Sequence, residues 1–241
     1  MICAVRLPVI RLGQPISNVW LLPSTPAGPV LVDTGHRLLW PTIRLGLRQA
    51  GFRPEDLAAV LLTHRHSDHA GNAARLAWRH GVPVYAHAMD AQVLAGQRRR
   101  PAMEPAPGVS GFMCWMENSW PARWLRARPV EHGDEIAGLT VHWVPGHTAG
   151  SIFLHHEETG TLFTGDTLLS ARPPLIIPQG LTLAYPPFCE DHAQALEYLG
   201  KFLAQGNKIR RLCPGHGQVL ERELNVEVEA LLQARPDLRI W

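Results

Sequence analysis

Residues 63–71 read Thr63-His64-Arg65-His66-Ser67-Asp68-His69-Ala70-Gly71. They directly follow the apolar run 57–62, which is typical of a short buried strand. On an extended chain, alternate side chains share a side, so His64 and His66 can reach one metal ion. Asp68 and His69 follow where the chain turns toward a helix, and they can face a second ion. Imidazole and carboxylate are the ligands that zinc takes in catalytic sites. The stretch therefore predicts a metal site.

Three later motifs repeat this chemistry. His147 lies in Pro-Gly-His-Thr-Ala-Gly-Ser (145–151), Asp166 in Thr-Gly-Asp-Thr (164–167) and His216 in Pro-Gly-His-Gly (214–217). Each residue follows or adjoins a predicted strand and has a glycine beside it. Glycine lets the backbone turn sharply and bring a ligand inward. A histidine-rich surface loop would not require these additional motifs.

In this order, the seven residues resemble the ligand set of the metallo-β-lactamase superfamily, over residues 33–217. The resemblance implies an α/β fold, a four-layer αβ/βα sandwich with the site at one edge between the sheets. It implies that His64, His66 and His147 bind one metal, that Asp68, His69 and His216 bind a second, and that Asp166 bridges both. It also implies that Asp33 supports the site from behind, as carboxylates commonly orient metal-bound histidines.

The resemblance implies a metal-dependent hydrolase with two divalent ions. Zinc is the expected metal, with iron or manganese as alternatives. A bound metal lowers the pKa of water from about 15.7 to about 7, so a bridging hydroxide can attack an ester, thioester or lactone. Asp68 is then a candidate catalytic proton carrier as well as a ligand.

Other members of the superfamily remain as alternatives. A persulfide dioxygenase-like oxidoreductase would use one iron held by His64, His147 and Asp166. A quorum-sensing-type lactonase usually has tyrosine three residues after the bridging aspartate, where this chain has Leu169. Glyoxalase II shares all seven ligands, but its usual C-terminal part carries basic residues for glutathione, and we do not expect such a part in the 25 residues after His216. The β-lactamases themselves carry cysteine or serine at position 166, and a non-catalytic binding module would tend to lose ligands.

Composition excludes several other classes of protein. The 241 residues carry a formal net charge of +2, with 46% hydrophobic and 18% charged residues. Nucleic-acid binding is not expected, because it needs a concentrated basic face. No apolar run approaches the ~20 residues that span a bilayer, and the first residues do not read as a signal peptide. Four cysteines without a Cys-x-x-Cys pair favour a reducing, cytoplasmic location.

We expect a single domain over residues 1–241, with a lid insertion at about 100–128. That segment is rich in tryptophan, methionine and proline, and an ordinary packing loop or a homodimer contact is the alternative. A second apolar segment runs over 172–178 and leads to 185–188. Trp115, Ile176 and Tyr185 are the candidate substrate-binding residues, and the apolar character predicts a small-molecule substrate with an apolar part.

The hydrophobic periodicity predicts alternating strands and helices in both halves of the chain. Strands are expected at 16–22, 29–32, 57–62, 82–86, 139–144, 151–155, 161–164 and 209–213, and helices at 38–50, 73–79, 88–94, 193–203 and 221–234. Besides His192, seven histidines match no ligand position, and most are expected to be surface or capping residues: His36, His80, His87, His132, His142, His155 and His156. His36 is also a candidate for the rim of the site.

Overall fold

A computed structural model describes residues 7–12, 16–104, 108–122, 124–172 and 177–234. The first half of the chain builds a six-stranded sheet whose spatial order equals its chain order. Its strands are β1 (Ile10–Arg11), β2 (Trp20–Leu22), β3 (Val30–Val32), β4 (Ala59–Leu61), β5 (Val84–His87) and β6 (Arg128–Val130). Strands β3 to β6 are parallel, and β1 and β2 extend the sheet in antiparallel fashion.

The second half builds another six-stranded sheet and a small hairpin. Four strands come first: β7 (Glu135–Ile136), β8 (Leu139–Trp143), β9 (Ile152–His156) and β10 (Thr161–Gly165). The hairpin of β11 (Leu168–Arg172) and β12 (Ile177–Leu183) follows. The last two strands, β13 (Arg211–Pro214) and β14 (Leu220–Glu221), join β7–β10 in the order β14-β13-β10-β9-β8-β7.

The described part of the chain contains seven α-helices. They are α1 (Trp40–Gln49), α2 (Ser67–Ala70), α3 (Ala73–His80), α4 (Ala88–Leu94), α5 (Gly108–Ser119), α6 (His192–Ala204) and α7 (Asn225–Ala234). In α6, the Asp191 side chain caps the amino end by accepting a hydrogen bond from the Gln194 backbone N–H. Its buried residues recur every three or four positions, so one face packs inward.

Strand alternation divides the core into three apolar layers. Residues such as Trp20, Val32 and Leu61 of the first sheet meet Val141 and Phe163 of the second in a central layer. The opposite face of the first sheet packs on α1, α3 and α4, and that of the second packs on α6 and α7. The four-layer αβ/βα sandwich expected from the sequence is therefore confirmed.

Several sequence-based boundaries were wrong. The predicted strand 16–22 is limited to β2, because Asn18 instead donates side-chain hydrogen bonds to the carbonyl oxygens of Pro214 (2.9 Å) and Gly217 (3.0 Å). The final helix begins at Asn225 rather than at residue 221, since Leu220–Glu221 pairs with β13.

No helix in the described ranges is both long and apolar enough to span a membrane.

Gly71, at the end of the motif, shows how tightly α2 is packed against the loop after β3. A Cβ atom added there would collide with the Ser67 carbonyl oxygen. It would also lie 2.6 Å from the Arg37 nitrogen and 2.7 Å from the Gly35 oxygen. These are backbone atoms, which cannot rotate away. By contrast, a Cβ atom at Gly200 in α6 would meet nothing within 4 Å.

We predict that Gly71→Ala lowers the free energy of unfolding by about 1–3 kcal/mol, the usual cost of overpacking. The matched control, Gly200→Ala, is expected to raise it by roughly 0.5–1 kcal/mol, because alanine is the better helix former. Urea unfolding of both variants measures the difference. A Gly71→Ala protein as stable as the wild type would contradict the packing described here.

Candidate metal centre

The predicted ligands come from the ends of strands in both sheets. The motif 63–71 follows β4, His147 follows β8, Asp166 follows β10 and His216 follows β13. Strands β8, β10 and β13 run in the same direction, so their carboxyl ends meet at one edge of the second sheet. A hydrogen bond from the Ile152 N–H to the Thr63 carbonyl oxygen (2.9 Å) ties this edge to the first sheet.

Asp33 organises the start of the motif from its position just after β3. Its buried carboxylate accepts hydrogen bonds from the Thr63 backbone N–H and hydroxyl, both at 2.8 Å. The other contact is with His69, whose Nδ1 lies 2.8 Å away. This contact fixes the His69 ring and turns Nε2 toward the site. Asp33 has a φ of 60°, a left-handed conformation that aspartate tolerates better than most residues.

Three buried histidines form the first ligand group. One ring nitrogen from each of His64, His66 and His147 lies within 4.8 Å of the others. His66 Nδ1 and His147 Nε2 are 2.9 Å apart. Burial lowers the pKa of each imidazole, and the neighbouring rings lower those of His64 and His66 further. The pKa of His147 falls to about 4. At neutral pH these rings are therefore uncharged, the form in which imidazole binds a metal.

The second ligand group combines two histidines with two carboxylates. Its members, Asp68, His69, Asp166 and His216, also offer ligand atoms within 4.8 Å of one another. His216 Nε2 lies 3.1 Å from Asp166 Oδ2 and 3.3 Å from Asp68 Oδ2. Its Nδ1–H faces the carbonyl oxygen of Ile16 at 2.7 Å, which leaves Nε2 for the site.

The charges of this second group favour a cation at its centre. Burial alone would lower the pKa of His216, but the Asp166 and Asp68 carboxylates outweigh it and raise the pKa to about 10. The same balance holds the pKa of His69 well above its usual range. Burial raises the pKa of Asp166, yet His216 and His69 bring it well below its ordinary value. The carboxylates thus stay ionised and attract positive charge.

Unpaired buried atoms indicate that both groups fit metal ions. Within the described ranges, His64 Nε2, His69 Nε2 and Asp166 Oδ1 are buried without a hydrogen-bond partner. His69 Nε2 and Asp166 Oδ1 lie 3.2 Å apart, but their geometry is not that of a hydrogen bond. A buried polar atom without a partner is costly, so such atoms need an explanation. Zinc-type ions accept imidazole nitrogen and carboxylate oxygen, and three such orphaned atoms pointing into one centre match that chemistry.

Gly215 is required where the loop after β13 passes closest to the Asp166 carboxylate. A Cβ atom there would collide with Asp166 Oδ1 and lie 2.7 Å from His69 Cε1. The Gly215 N–H donates to the Gly165 carbonyl oxygen at 2.7 Å, which holds the two loops together. Without a side chain at position 215, Asp166 can lie between the two ligand groups.

A buried ionic network holds the loops that carry the first ligand group. Arg65 contacts the Asp90 carboxylate (4.0 Å) and forms an ion pair with Glu190. Asp90 also accepts hydrogen bonds from the Arg65 N–H (2.9 Å) and the Thr148 hydroxyl (2.7 Å). Thr148 is the residue after His147, so this network joins the loop of His64 and His66 to the loop of His147.

A cavity of about 90 Å³ opens onto the ligands. Its walls combine ligands with apolar side chains: Ile16, His36, His66, Ser67, Asp68, Met103, Met113, Met116, Glu117, His147, Asp166, Phe188 and His216. Met113, Met116 and Glu117 occupy one face of α5. Glu117 accepts a hydrogen bond from the Ser67 N–H (2.9 Å) and pairs with Arg100 (2.7 Å), so it anchors α5 to the metal-binding motif.

The structure brings the seven predicted ligands and Asp33 together, but it changes the expected substrate wall. Trp115 does not line the cavity; its side chain lies on the opposite face of α5, 53% exposed, because the segment is helical rather than a loop. Tyr185 also lies outside the lining and contacts Ser110 and Phe188. Ile176 lies outside the described residues. His36 lines the cavity, as its proximity to Asp33 suggested.

Glu117 and its partner Arg100 were missed in the sequence. A usable signal was present: Glu117 is the one acidic residue in the otherwise apolar and small-residue stretch 108–117. A carboxylate in such a helix needs a partner. Two histidines expected at the surface, His142 and His155, are instead buried, because alternate residues of β8 and β9 face α6.

Comparison with known proteins identifies the family of the chain. The model of the metallo-beta-lactamase superfamily matches residues 12–216. A probable metallo-hydrolase of Bacillus subtilis (strain 168), YflN, is 29% identical over 217 residues, which are 84% of this chain and 81% of that protein. A hydroxyacylglutathione hydrolase of Alkalilimnicola ehrlichii is 36% identical over 128 residues, but these are 53% of this chain and only 38% of that protein.

Solved structures show the same architecture. The di-iron-bound form of TTHA1623 aligns with a TM-score of 0.65 and 27% identity, covering 92% of this chain and 96% of that one. The family protein TTHA1429 from Thermus thermophilus aligns with a TM-score of 0.68 and 23% identity, covering 95% and 79%. Because the family model covers most of the chain and the fold agrees with it, this chain belongs to the metallo-β-lactamase superfamily.

Proposed function

We propose that this chain is a hydrolase that cleaves an ester, thioester or lactone with two divalent metal ions. The observation that carries the proposal is the position of Asp166 between the two ligand groups. Its Oδ2 lies 3.7 Å from His147 Nε2 in the first group and 3.1 Å from His216 Nε2 in the second. Its Oδ1 faces His69 Nε2. A carboxylate in contact with both groups is suited to bridge two ions.

The ligands would hold the ions as the sequence predicted, with zinc as the expected metal. When bound, two such ions lower the pKa of water and polarise the acyl oxygen of the substrate. Asp68 contributes the proton chemistry. Its Oδ2 lies 3.5 Å from His69 Nε2 and 3.3 Å from His216 Nε2, while its side chain is 22% exposed on the cavity wall. It can therefore accept a proton at the site and deliver it to the leaving group.

The cavity wall favours a substrate with a small apolar part. Met113, Met116 and Phe188 supply apolar surface, and the volume of about 90 Å³ suits a short acyl or alkyl group. Since a hydroxyacylglutathione hydrolase is among the relatives, acyl thioesters belong in any substrate panel. The buried Leu169 stands where the lactonases usually carry tyrosine, so a lactone is the less favoured member of the three classes.

An iron-dependent oxidation is the competing function. It would use only His64, His147 and Asp166, and it would leave His66 and the other three members of the second ligand group without a role. Four further residues with ligand atoms, His66, Asp68, His69 and His216, lie in the two groups. Their presence favours two ions over a single iron. Iron as the metal of a hydrolase is a separate matter, since TTHA1623 was crystallised in a di-iron-bound form.

We predict that His66→Ala and Asp166→Asn lose metal and hydrolytic activity together, because each residue contacts the ligands of at least one group. Activity on the best ester or thioester should fall by at least about 100-fold, the upper range for disturbed metal sites. Metal content per chain, measured by mass spectrometry, should fall below the two ions expected for the wild type. His80→Gln is the control, since its ring pairs with Glu55 at 3.4 Å at the end of α3, and it should change neither quantity.

Two results would overturn the proposed hydrolysis. One is an Asp166→Asn protein that keeps full activity without metal. The other is a wild-type protein with a single iron per chain that consumes oxygen and hydrolyses no member of the panel. The panel comprises nitrophenyl esters, acyl thioesters and lactones, each assayed on protein of known metal content.

We further predict that Met113→Ala shifts specificity toward longer acyl chains. Removing this side chain enlarges the apolar wall, and one or two extra methylenes in such a pocket are worth roughly tenfold in kcat/KM. The ratio of kcat/KM for a longer ester to that for a shorter one should rise accordingly. Phe112→Ala is the matched control, because Phe112 neighbours Met113 but is 58% exposed and outside the cavity. An equal shift in both variants would contradict the assigned wall.

A further inference from the structure

A second cluster of metal-binding side chains lies on the outer face of the second sheet. His142 of β8 and His155 of β9 occupy the same face, because Thr140 pairs with His155 and His142 pairs with Phe153. This face packs against α6, and Phe202 contacts both imidazole rings, with ring centroids 4.9 and 5.8 Å apart. Neither histidine lines the cavity of the candidate active site.

Glu157, one residue beyond β9, completes the cluster. Ligand atoms of His142, His155 and Glu157 all lie within 4.8 Å of one another. Two contacts orient this set from behind. His155 Nε2–H faces the Lys208 carbonyl oxygen at 3.1 Å, and the Thr140 hydroxyl donates to Glu157 Oε1 at 3.0 Å. Metal-ligating histidines are commonly oriented by a backbone carbonyl in this way, which leaves the opposite nitrogen free to bind.

The free nitrogens have no protein partner in the described ranges. Both ring nitrogens of His142 and Nδ1 of His155 are buried without a hydrogen-bond partner. His142 is only 7% exposed and His155 only 2%. A buried imidazole with two unsatisfied nitrogens is a costly choice for a position that only had to fill space beside Phe202. An apolar ring would fill the same space without that cost.

The charge state of the cluster suits a metal. Burial, with smaller contributions from the neighbouring His155 and His132 rings, lowers the pKa of His142 to about 4. Burial likewise lowers the pKa of His155. Both rings are therefore neutral near pH 7 and keep a lone pair for coordination, while the exposed Glu157 supplies negative charge.

We propose that His142, His155 and Glu157 form a third metal site that binds a divalent transition ion of the zinc type. Two imidazole nitrogens and one carboxylate are typical ligands of such ions, whereas magnesium and calcium prefer oxygen alone. A cavity of about 190 Å³ reaches His142 from the side of His132 and Lys201. This cavity places open space next to one ring of the cluster.

The test compares the metal content of holoprotein variants, with zinc as the probe. Wild type and His142→Phe are dialysed against a buffered concentration of free zinc, and bound zinc per chain is counted by mass spectrometry. His142→Phe keeps an aromatic ring beside Phe202, so the fold is preserved. We expect this variant to bind one ion fewer than the wild type, with hydrolytic activity unchanged. His156→Gln is the matched control, since its ring contacts Thr159 and not the cluster.

The result is a difference between two proteins, so it does not depend on how many ions the active site holds. Glu157→Gln supplies a second measurement. Because Glu157 is exposed, this variant should fold normally, and the zinc affinity of the third site should fall about tenfold or more. Equal zinc content in the wild type, His142→Phe and Glu157→Gln would overturn the proposal and leave His142 as a packing residue.

Discussion

The carboxylate of Asp33 is the constraint on which the site depends. It binds the Thr63 backbone and hydroxyl at the end of β4, and it binds the ring of His69 near the end of the same motif. One side chain thus fixes where the strand ends, how the motif turns into α2 and which His69 nitrogen faces the centre. Asp33 can do this only in a left-handed conformation, with φ at 60°. Because the group is fully buried, loss of any one contact would leave a charge poorly compensated.

The same strand-end edge creates two different electrostatic environments a few ångströms apart. His64, His66 and His147 are surrounded mainly by one another, so burial keeps them neutral. His69 and His216 face Asp68 and Asp166, whose negative charge overcomes burial and favours a positive centre. The first group therefore offers only neutral ligands, whereas the second combines two histidines with two anionic carboxylates. The Asp166 carboxylate contacts both groups. In the proposed function it bridges their two ions, and a cysteine or serine there would differ in charge and in length.

The ligands, which lie at strand ends, could be predicted from the sequence. The residues whose position depends on packing between helices and sheets could not be predicted as well. The ligands carry their own signals: the motif His64-x-His66-x-Asp68-His69 and the glycines beside His147, Asp166 and His216. The helix α5 was missed because Gly108 and Gly111 and the surrounding prolines hide its periodicity. Trp115 was therefore named as a candidate substrate-binding residue, although its side chain lies on the face of α5 away from the cavity. His142 and His155 were expected at the surface because no sequence pattern shows that α6 would cover their side of the sheet.

The ligand motif does not determine the substrate, because the ligands lie at strand ends whereas part of the cavity wall comes from helix α5. Strand ends are positioned by the two sheets, so the ligands keep their geometry whatever lies above them. The cavity wall comes instead from α5, which Glu117 joins to the motif through the Ser67 N–H. A change at Met113 or Met116 would reshape the cavity without touching the Glu117 contact that holds the motif. Specificity can therefore vary through Met113 and Met116 while the metal centre, and with it the reaction type, stays the same.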